Sequence, residues 1–315
     1  MAAVGRRLFL WKSGRRFTGL GRSAKRLEVR AFAKINLTLE VLGRRSDGYH
    51  EVRTILQTID LADRLVVQPA ASLQVECDDP ALSGEANLVW KAATALAKGR
   101  GIVPKARISI HKNIPVAMGM GGGSSDAAAS LAALNRLWDL RMAHAELAQV
   151  AAGLGSDVPF FLWGGTALAQ GRGDEITPLP TLPSTQLLLV CPADTIPQKT
   201  ARLYSLLTPA HYNDGANTLR LVQVLQQHCF SSSLLSNVFE AVAFGAFPSL
   251  ERLRQQLGRI AGAPPRLSGA GPALFCLPAT PEEFQQAERV LQGEGVRAYL
   301  VNTVARGYAL DANCN

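Results

Sequence analysis

Residues 115–126, PVAMGMGGGSSD, set Gly119, Gly121, Gly122, Gly123, Ser124 and Ser125 directly before an alanine- and leucine-rich run that reads as a helix. A helix start leaves main-chain N–H groups without intrahelical partners and carries the positive end of the dipole. Glycines ahead of it let an anion approach several amides closely, and the natural ligand is a phosphate chain. The two serines are expected to cap the helix and to offer hydroxyls to phosphate or to a magnesium ion. A glycine loop with an ordinary serine cap is the plain alternative; it suits a lone Gly-Gly pair better than this run.

Spelling sets several phosphate binders aside. A Walker A loop needs Gly-Lys, a dipeptide found nowhere in the chain. The dinucleotide spacing begun at Gly119 needs glycine at 124, where Ser124 stands. Neither H-R-D nor D-F-G of protein kinases occurs.

These residues need elements to hold them. From Leu27 to Leu42 every second residue, Leu27 to Val41, is apolar and the residues between are polar but for Phe32, the pattern of a half-buried strand, which places Lys34 and Asn36 together on its exposed face. Asp47-Gly48 reads as a turn into a second extended segment, 51–60, so the start of the chain is expected to be a hairpin. A helix over 86–99 and a strand over 106–115 lead to the glycine loop, and a further helix ends near Gly153 and Gly155. Asp157, in Gly-Ser-Asp-Val-Pro, taken alone suits a helix N-cap. Prolines between 178 and 192 mark the expected domain boundary; helices near 197–207, 217–229, 234–243 and 247–258 then alternate with extended segments, an α+β pattern.

The loop resembles the signature of the GHMP kinases, in which Pro-x-x-x-Gly-(Leu or Met)-Gly-(Gly or Ser)-Ser-Ser opens a helix around the phosphates of ATP. Two further segments, GSDVPFFLWGGTALAQGRGDE and RLSGAGPALFCL, resemble the second and third motifs of that family in the right order. The opening, VRAFAKINLTLEVLGRRSDGYHE, resembles the branch that phosphorylates 4-diphosphocytidyl-2-C-methyl-D-erythritol (CDP-methylerythritol), with Phe32 where proline is usual.

The resemblance implies a two-domain α+β fold with the active site in the cleft: an N-terminal ribosomal-protein-S5-domain-2-like domain over 27–180 and a C-terminal ferredoxin-like α/β-plait domain over 181–312, after a basic extension, 1–26. It implies that Pro115, Val116, Ala117, Met118, Gly119, Met120, Gly121, Gly122, Gly123, Ser124 and Ser125 hold ATP, with Mg2+ as its companion. Asp157 would accept the proton of the substrate's 2-hydroxyl, while Lys34 holds aspartate and phosphate in register. Tyr49 would stack on the cytosine, with His50 at its polar edge and Tyr204 across from it. Asn36 and Gly269 would meet the erythritol end. The metal ligand stays unassigned, since Asp126 suits the phosphates and the helix dipole equally. The alternatives are a GHMP kinase for homoserine, mevalonate or a sugar, and a catalytically silent ligand sensor of the same fold.

Composition bounds the partners. Of 315 residues 47% are hydrophobic and 18% charged, as in a folded chain. The net charge of +8 sits within residues 1–30, and the remainder balances to zero, so the folded part is not expected to bind nucleic acid. No segment reads as a transmembrane helix. Five cysteines without metal-ligand spacing point to a reducing compartment. A bacterial cytoplasmic protein, monomer or weak homodimer, is the expectation; a plastid one is the alternative if the Arg-rich extension is a transit peptide.

Overall fold

The structure, a computed structural model, describes residues 26–193, 196–292 and 295–311. The basic extension therefore lies, apart from Arg26, outside the described residues. Alternating apolar residues form a long antiparallel hairpin of β1 (Leu27–Arg44) and β2 (His50–Gln68), turned at Asp47-Gly48, where Gly48 takes a φ of +88°. Around it an eight-stranded sheet collects β3 (Gln74–Cys77), β4 (Arg107–His111), β5 (Thr166–Gln170), β6 (Glu175–Pro178), β8 (Ser236–Asn237) and β12 (Tyr308–Asp311). A second sheet, of β7 (Gln186–Cys191), β9 (Arg266–Leu267), β10 (Leu274–Cys276) and β11 (Arg297–Asn302), runs in the order β11-β7-β10-β9.

Four helices, α1 (Leu88–Gly99), α2 (Gly122–Leu137), α3 (His144–Ala152) and α4 (Val158–Trp163), pack on one face of the first sheet. Its other face meets the second sheet through Ile35, Leu37, Leu187, Leu189 and Phe275, with α6 (Ala216–Gln226) in the same core. Leu188 and Val190 alternate to the far side of β7 and pack against α5 (Lys199–Leu206), α7 (Glu240–Ala246), α8 (Leu250–Ala261) and α9 (Pro281–Leu291). Since β7 is buried on both faces from Leu187 onward, its run LLLVC is continuously apolar. Each such leucine contributes ~1.5–3 kcal/mol of burial.

Three findings depart from the sequence reading. First, from Ala31 to Val41 β1 is wet on neither face: Lys34, Asn36, Thr38 and Glu40 are all buried, and only its ends, at Glu28, Arg30 and Arg44, reach solvent. Its register with β2 shifts between Phe32 and Ala33. Val29 and Ala31 pack with the helices, whereas Ala33, Ile35 and Leu37 pack with the second sheet. The irregularity thus turns Lys34 and Asn36 towards the glycine loop and α4. Second, the division at residue 180 separates two sheets but not two contiguous units, because β8 and β12 return to pair with β1. Third, α7 starts later than the helix expected near 234, and α9 was not anticipated although Thr280 and Glu283 form a reciprocal capping box at its start.

Candidate active site

A cleft of about 830 Å³ is lined by the glycine loop, the start of α4, α5 and the loop after β9. Gly121, left-handed at φ +70°, is the N-cap of α2, and no side chain caps that helix. The anticipated serine caps are therefore absent: Ser124 and Ser125 lie inside the first turn. Residues 115–124 line the cleft, but Ser125 does not. Its hydroxyl is buried and donates to the Phe32 carbonyl at 2.7 Å, which anchors the helix start to β1. Lys34 N–H donates to the Met120 carbonyl at 3.0 Å and ties the loop to the same strand.

Lys34 Nζ donates to Asn36 Oδ1 at 2.7 Å and stands 3.9 Å from Asp157 Oδ2. Asn36 is oriented in turn, since its Nδ2 donates to Thr54 Oγ1 at 2.8 Å. Burial pushes the Lys34 ammonium below the ordinary lysine range, and Asp157 opposes that shift. Asp157 holds the N-cap position of α4 but accepts no capping bond, so its carboxylate is left to the cleft. The backbone of Gly269 closes on this pair: at φ +54°, a Cβ there would stand 3.0 Å from Lys34 Nζ and 2.9 Å from the Gly119 carbonyl. Asn237 Nδ2 fixes that turn by donating to the Gly269 carbonyl at 2.8 Å.

Of the aromatic residues expected around the cytosine, His50 stacks directly on Tyr204, with ring centroids 4.6 Å apart and planes at 19°. Tyr49 is exposed and carries the Arg172 guanidinium over its ring at 5.2 Å. Tyr204 is backed edge-on by Phe239 at 4.9 Å, and the Tyr212 hydroxyl lies 3.3 Å from His50 Nε2. Burial lowers the His50 pKa and raises that of Tyr204 to about 12, so a neutral imidazole faces a neutral phenol.

Sequence reasoning missed a charged cluster beneath the loop. Lys112 Nζ donates to Asp126 Oδ2 at 2.8 Å and to Asp63, whose Oδ1 also accepts the Asn113 and Ile114 amides at 2.6 and 2.8 Å. Burial lowers Lys112, but Asp126 and then Asp63 outweigh it and hold its pKa up. Burial pushes Asp126 up to about 7 against the pull of Lys112. The spacing of 63, 112 and 126 carries no motif. Only Asp126, at the helix entrance, was visible as a candidate.

A glycine loop with uncapped amides, facing a lysine–aspartate pair across a cleft, defines a small-molecule kinase of the GHMP type. Residues 87–165 match the GHMP kinases N terminal domain. The chain belongs to the family of 4-diphosphocytidyl-2-C-methyl-D-erythritol kinases: the relative of that name from Dehalococcoides mccartyi is 41% identical over 283 residues, covering 88% of this chain and 98% of its own. The one from Gloeobacter violaceus is 38% identical over 295 residues, covering 91% and 97%. A crystal structure of 4-(cytidine 5'-diphospho)-2C-methyl-D-erythritol kinase superposes with a TM-score of 0.74 at 35% identity, over 88% of this chain and 98% of that one. A homoserine kinase from Cytophaga hutchinsonii shares the fold, with a TM-score of 0.71 at 17% identity over 95% and 100%. As in any kinase of this family, ATP is the co-substrate. Among the described residues, no helix is long and apolar enough to cross a membrane.

Proposed function

We propose that the protein transfers the γ-phosphoryl group of ATP to the 2-hydroxyl of 4-diphosphocytidyl-2-C-methyl-D-erythritol, with Lys34 and Asp157 as catalytic residues. The observation that carries this reading is the 3.9 Å approach of Lys34 Nζ and Asp157 Oδ2 in the cleft the glycine loop lines. The substrate oxygen attacks the γ-phosphorus, the bond to the bridging β–γ oxygen breaks, and ADP leaves. The hydroxyl proton passes to Asp157 late in the transfer and then to solvent. Transfer through a loose transition state depends on alignment and charge more than on a strong base, so Asp157 chiefly orients the hydroxyl. Lys34 balances the charge developing on the transferred group, and the uncapped amides of the α2 start hold the phosphates.

Mg2+ would neutralise phosphate charge. Ser124, at the cleft, and Asp126, whose buried Oδ1 has no hydrogen-bond partner, are oxygen donors that fit such an ion, which takes one or two carboxylates beside substrate phosphates. His50 with Tyr204 and Tyr212 forms the aromatic corner that would receive the cytosine, with Tyr49 at its rim; Asn36 and Gly269 border the erythritol end.

Incubation with ATP, Mg2+ and each of CDP-methylerythritol, homoserine, mevalonate and a hexose tests this reading. ADP release with the cytidine substrate alone is expected. Turnover of another alcohol with none of this one would overturn it. Binding of both ligands without turnover would establish the silent sensor instead.

A further inference from the structure

Lys199 opens α5 and takes no part in the mechanism above, yet its side chain is folded back into the cleft. Its Nζ donates to the Ala117 carbonyl at 2.6 Å and also to the Gly271 carbonyl. These carbonyls belong to the two glycine-rich loops that enclose the phosphate-binding end of the cleft. We propose that Lys199 is a positioning residue for phosphoryl transfer: its ammonium ties the ATP loop and the loop at 268–273 to the first turn of α5. This rests on the kinase reading above.

The loops need such a tie. Ala117 has a left-handed φ of +61°, a conformation that a residue with a Cβ rarely holds without outside support. The loops touch backbone to backbone, since a Cβ on Gly119 would stand 2.1 Å from the Ser268 carbonyl oxygen. Their direct links are neutral and long: Ser268 Oγ donates to the Gly119 carbonyl at 3.2 Å, and Ala273 N–H to the Met118 carbonyl at 3.4 Å. A charged donor shared by both loops is the stronger fastener. Because the peptide is planar, holding the Ala117 carbonyl also fixes the Met118 N–H and the direction in which Gly119 to Gly123 leave.

The charged and titratable groups around this ammonium are few. Lys34 on β1 repels it, Asp157 ahead of α4 is paired with Lys34, and Tyr204 lies further along α5; the glycine loops contribute carbonyls. Burial and then Lys34 lower the Lys199 pKa to about 8. The latch is therefore charged at neutral pH and loses its charge as pH rises through about 8.

The test reads equilibrium affinity for a non-hydrolysable ATP analogue, which involves no alcohol. Lys199→Met should weaken binding about 10-fold or more, and Lys199→Arg, which keeps the charged donor, should recover most of it. Wild-type affinity should fall between pH 7.5 and 9, while the arginine variant stays flat. In turnover, the KM for ATP should rise in Lys199→Met and that for the alcohol should hold. Affinity of Lys199→Met within about twofold of wild type, or arginine no better than methionine, overturns the proposal. If the methionine variant shows no melting transition, wild-type affinity unchanged across that pH range overturns it instead. A protein that binds nucleotide through this latch but turns over no cytidine substrate would keep the latch and lose the kinase reading.

Discussion

Gly119, Gly121, Gly122 and Gly123, which run into the first turn of α2, look interchangeable in sequence, but the structure gives Gly119 and Gly123 opposite sensitivities. Gly119 sits at φ +81°, and a Cβ there would stand 2.1 Å from the Ser268 carbonyl oxygen and 3.1 Å from both N and O of Gly271. All three obstacles are backbone, so a loop must move. The left-handed conformation costs an alanine ~1–2 kcal/mol, and forcing a methyl into a packed site ~1–3 kcal/mol more. Gly119→Ala should therefore lose ~2–5 kcal/mol of stability, or ~4–10 °C at roughly 2 °C per kcal/mol. Gly123 has an ordinary helical φ and nothing within 4 Å of its notional Cβ. Alanine there gains ~0.5–1 kcal/mol of helix preference, so the melting temperature should hold or rise slightly. Its methyl would project into the open cleft where the phosphates belong, and affinity for ATP should fall. Thermal melting with parallel titration of an ATP analogue separates the two effects. Gly119→Ala melting within ~1 °C of wild type, or Gly123→Ala melting ~3 °C or more below it, would refute the loop geometry.

Tyr204→Ala removes the ring on which His50 stacks and should raise the KM of the cytidine substrate about threefold to tenfold, the worth of one aromatic contact, while the KM for ATP holds. The pH–rate profile checks Lys34: its charged form is required, its pKa is lowered by burial, and kcat should fall as pH rises through a value below the 10.5 of an ordinary lysine. The thiols of Cys191 and Cys276, raised by burial from 9.0 to about 12, lend the fold stability that is full below pH 9 and lost as pH climbs to 12. Loss of activity that begins below pH 9 at unchanged melting temperature would accordingly belong to the lysines, and loss that only follows melting would count against the assignment.

The glycine loop was legible because its chemistry is local: four glycines and a helix start stand within one short run. The hairpin was legible from strict alternation, but that pattern put Lys34 on a solvent face. It carried no sign of the register shift at Phe32/Ala33, nor of the second sheet that covers β1. Ser125 looked like a phosphate ligand, but the ~100° step between neighbouring helix positions sends Ser124 to the cleft and Ser125 back to Phe32. The pairing of His50 with Tyr204, the Asp63–Lys112–Asp126 cluster and the reach of Lys199 to Ala117 span 14 to 154 residues of chain and depend on packing that no local pattern encodes. The box at Thr280 and Glu283, by contrast, is local and is written in the sequence as Thr-Pro-Glu-Glu.

The central claim is that Lys34 and Asp157 converge on one transferring phosphate. The most direct measurement is kcat of Asp157→Asn with ATP and CDP-methylerythritol, alongside equilibrium binding of each. Asparagine keeps the shape but removes the charge that aligns the hydroxyl and finally takes its proton, so kcat should drop about 100-fold to 10,000-fold while both affinities stay within about threefold. A kcat close to that of the wild type would place the chemistry elsewhere in the cleft.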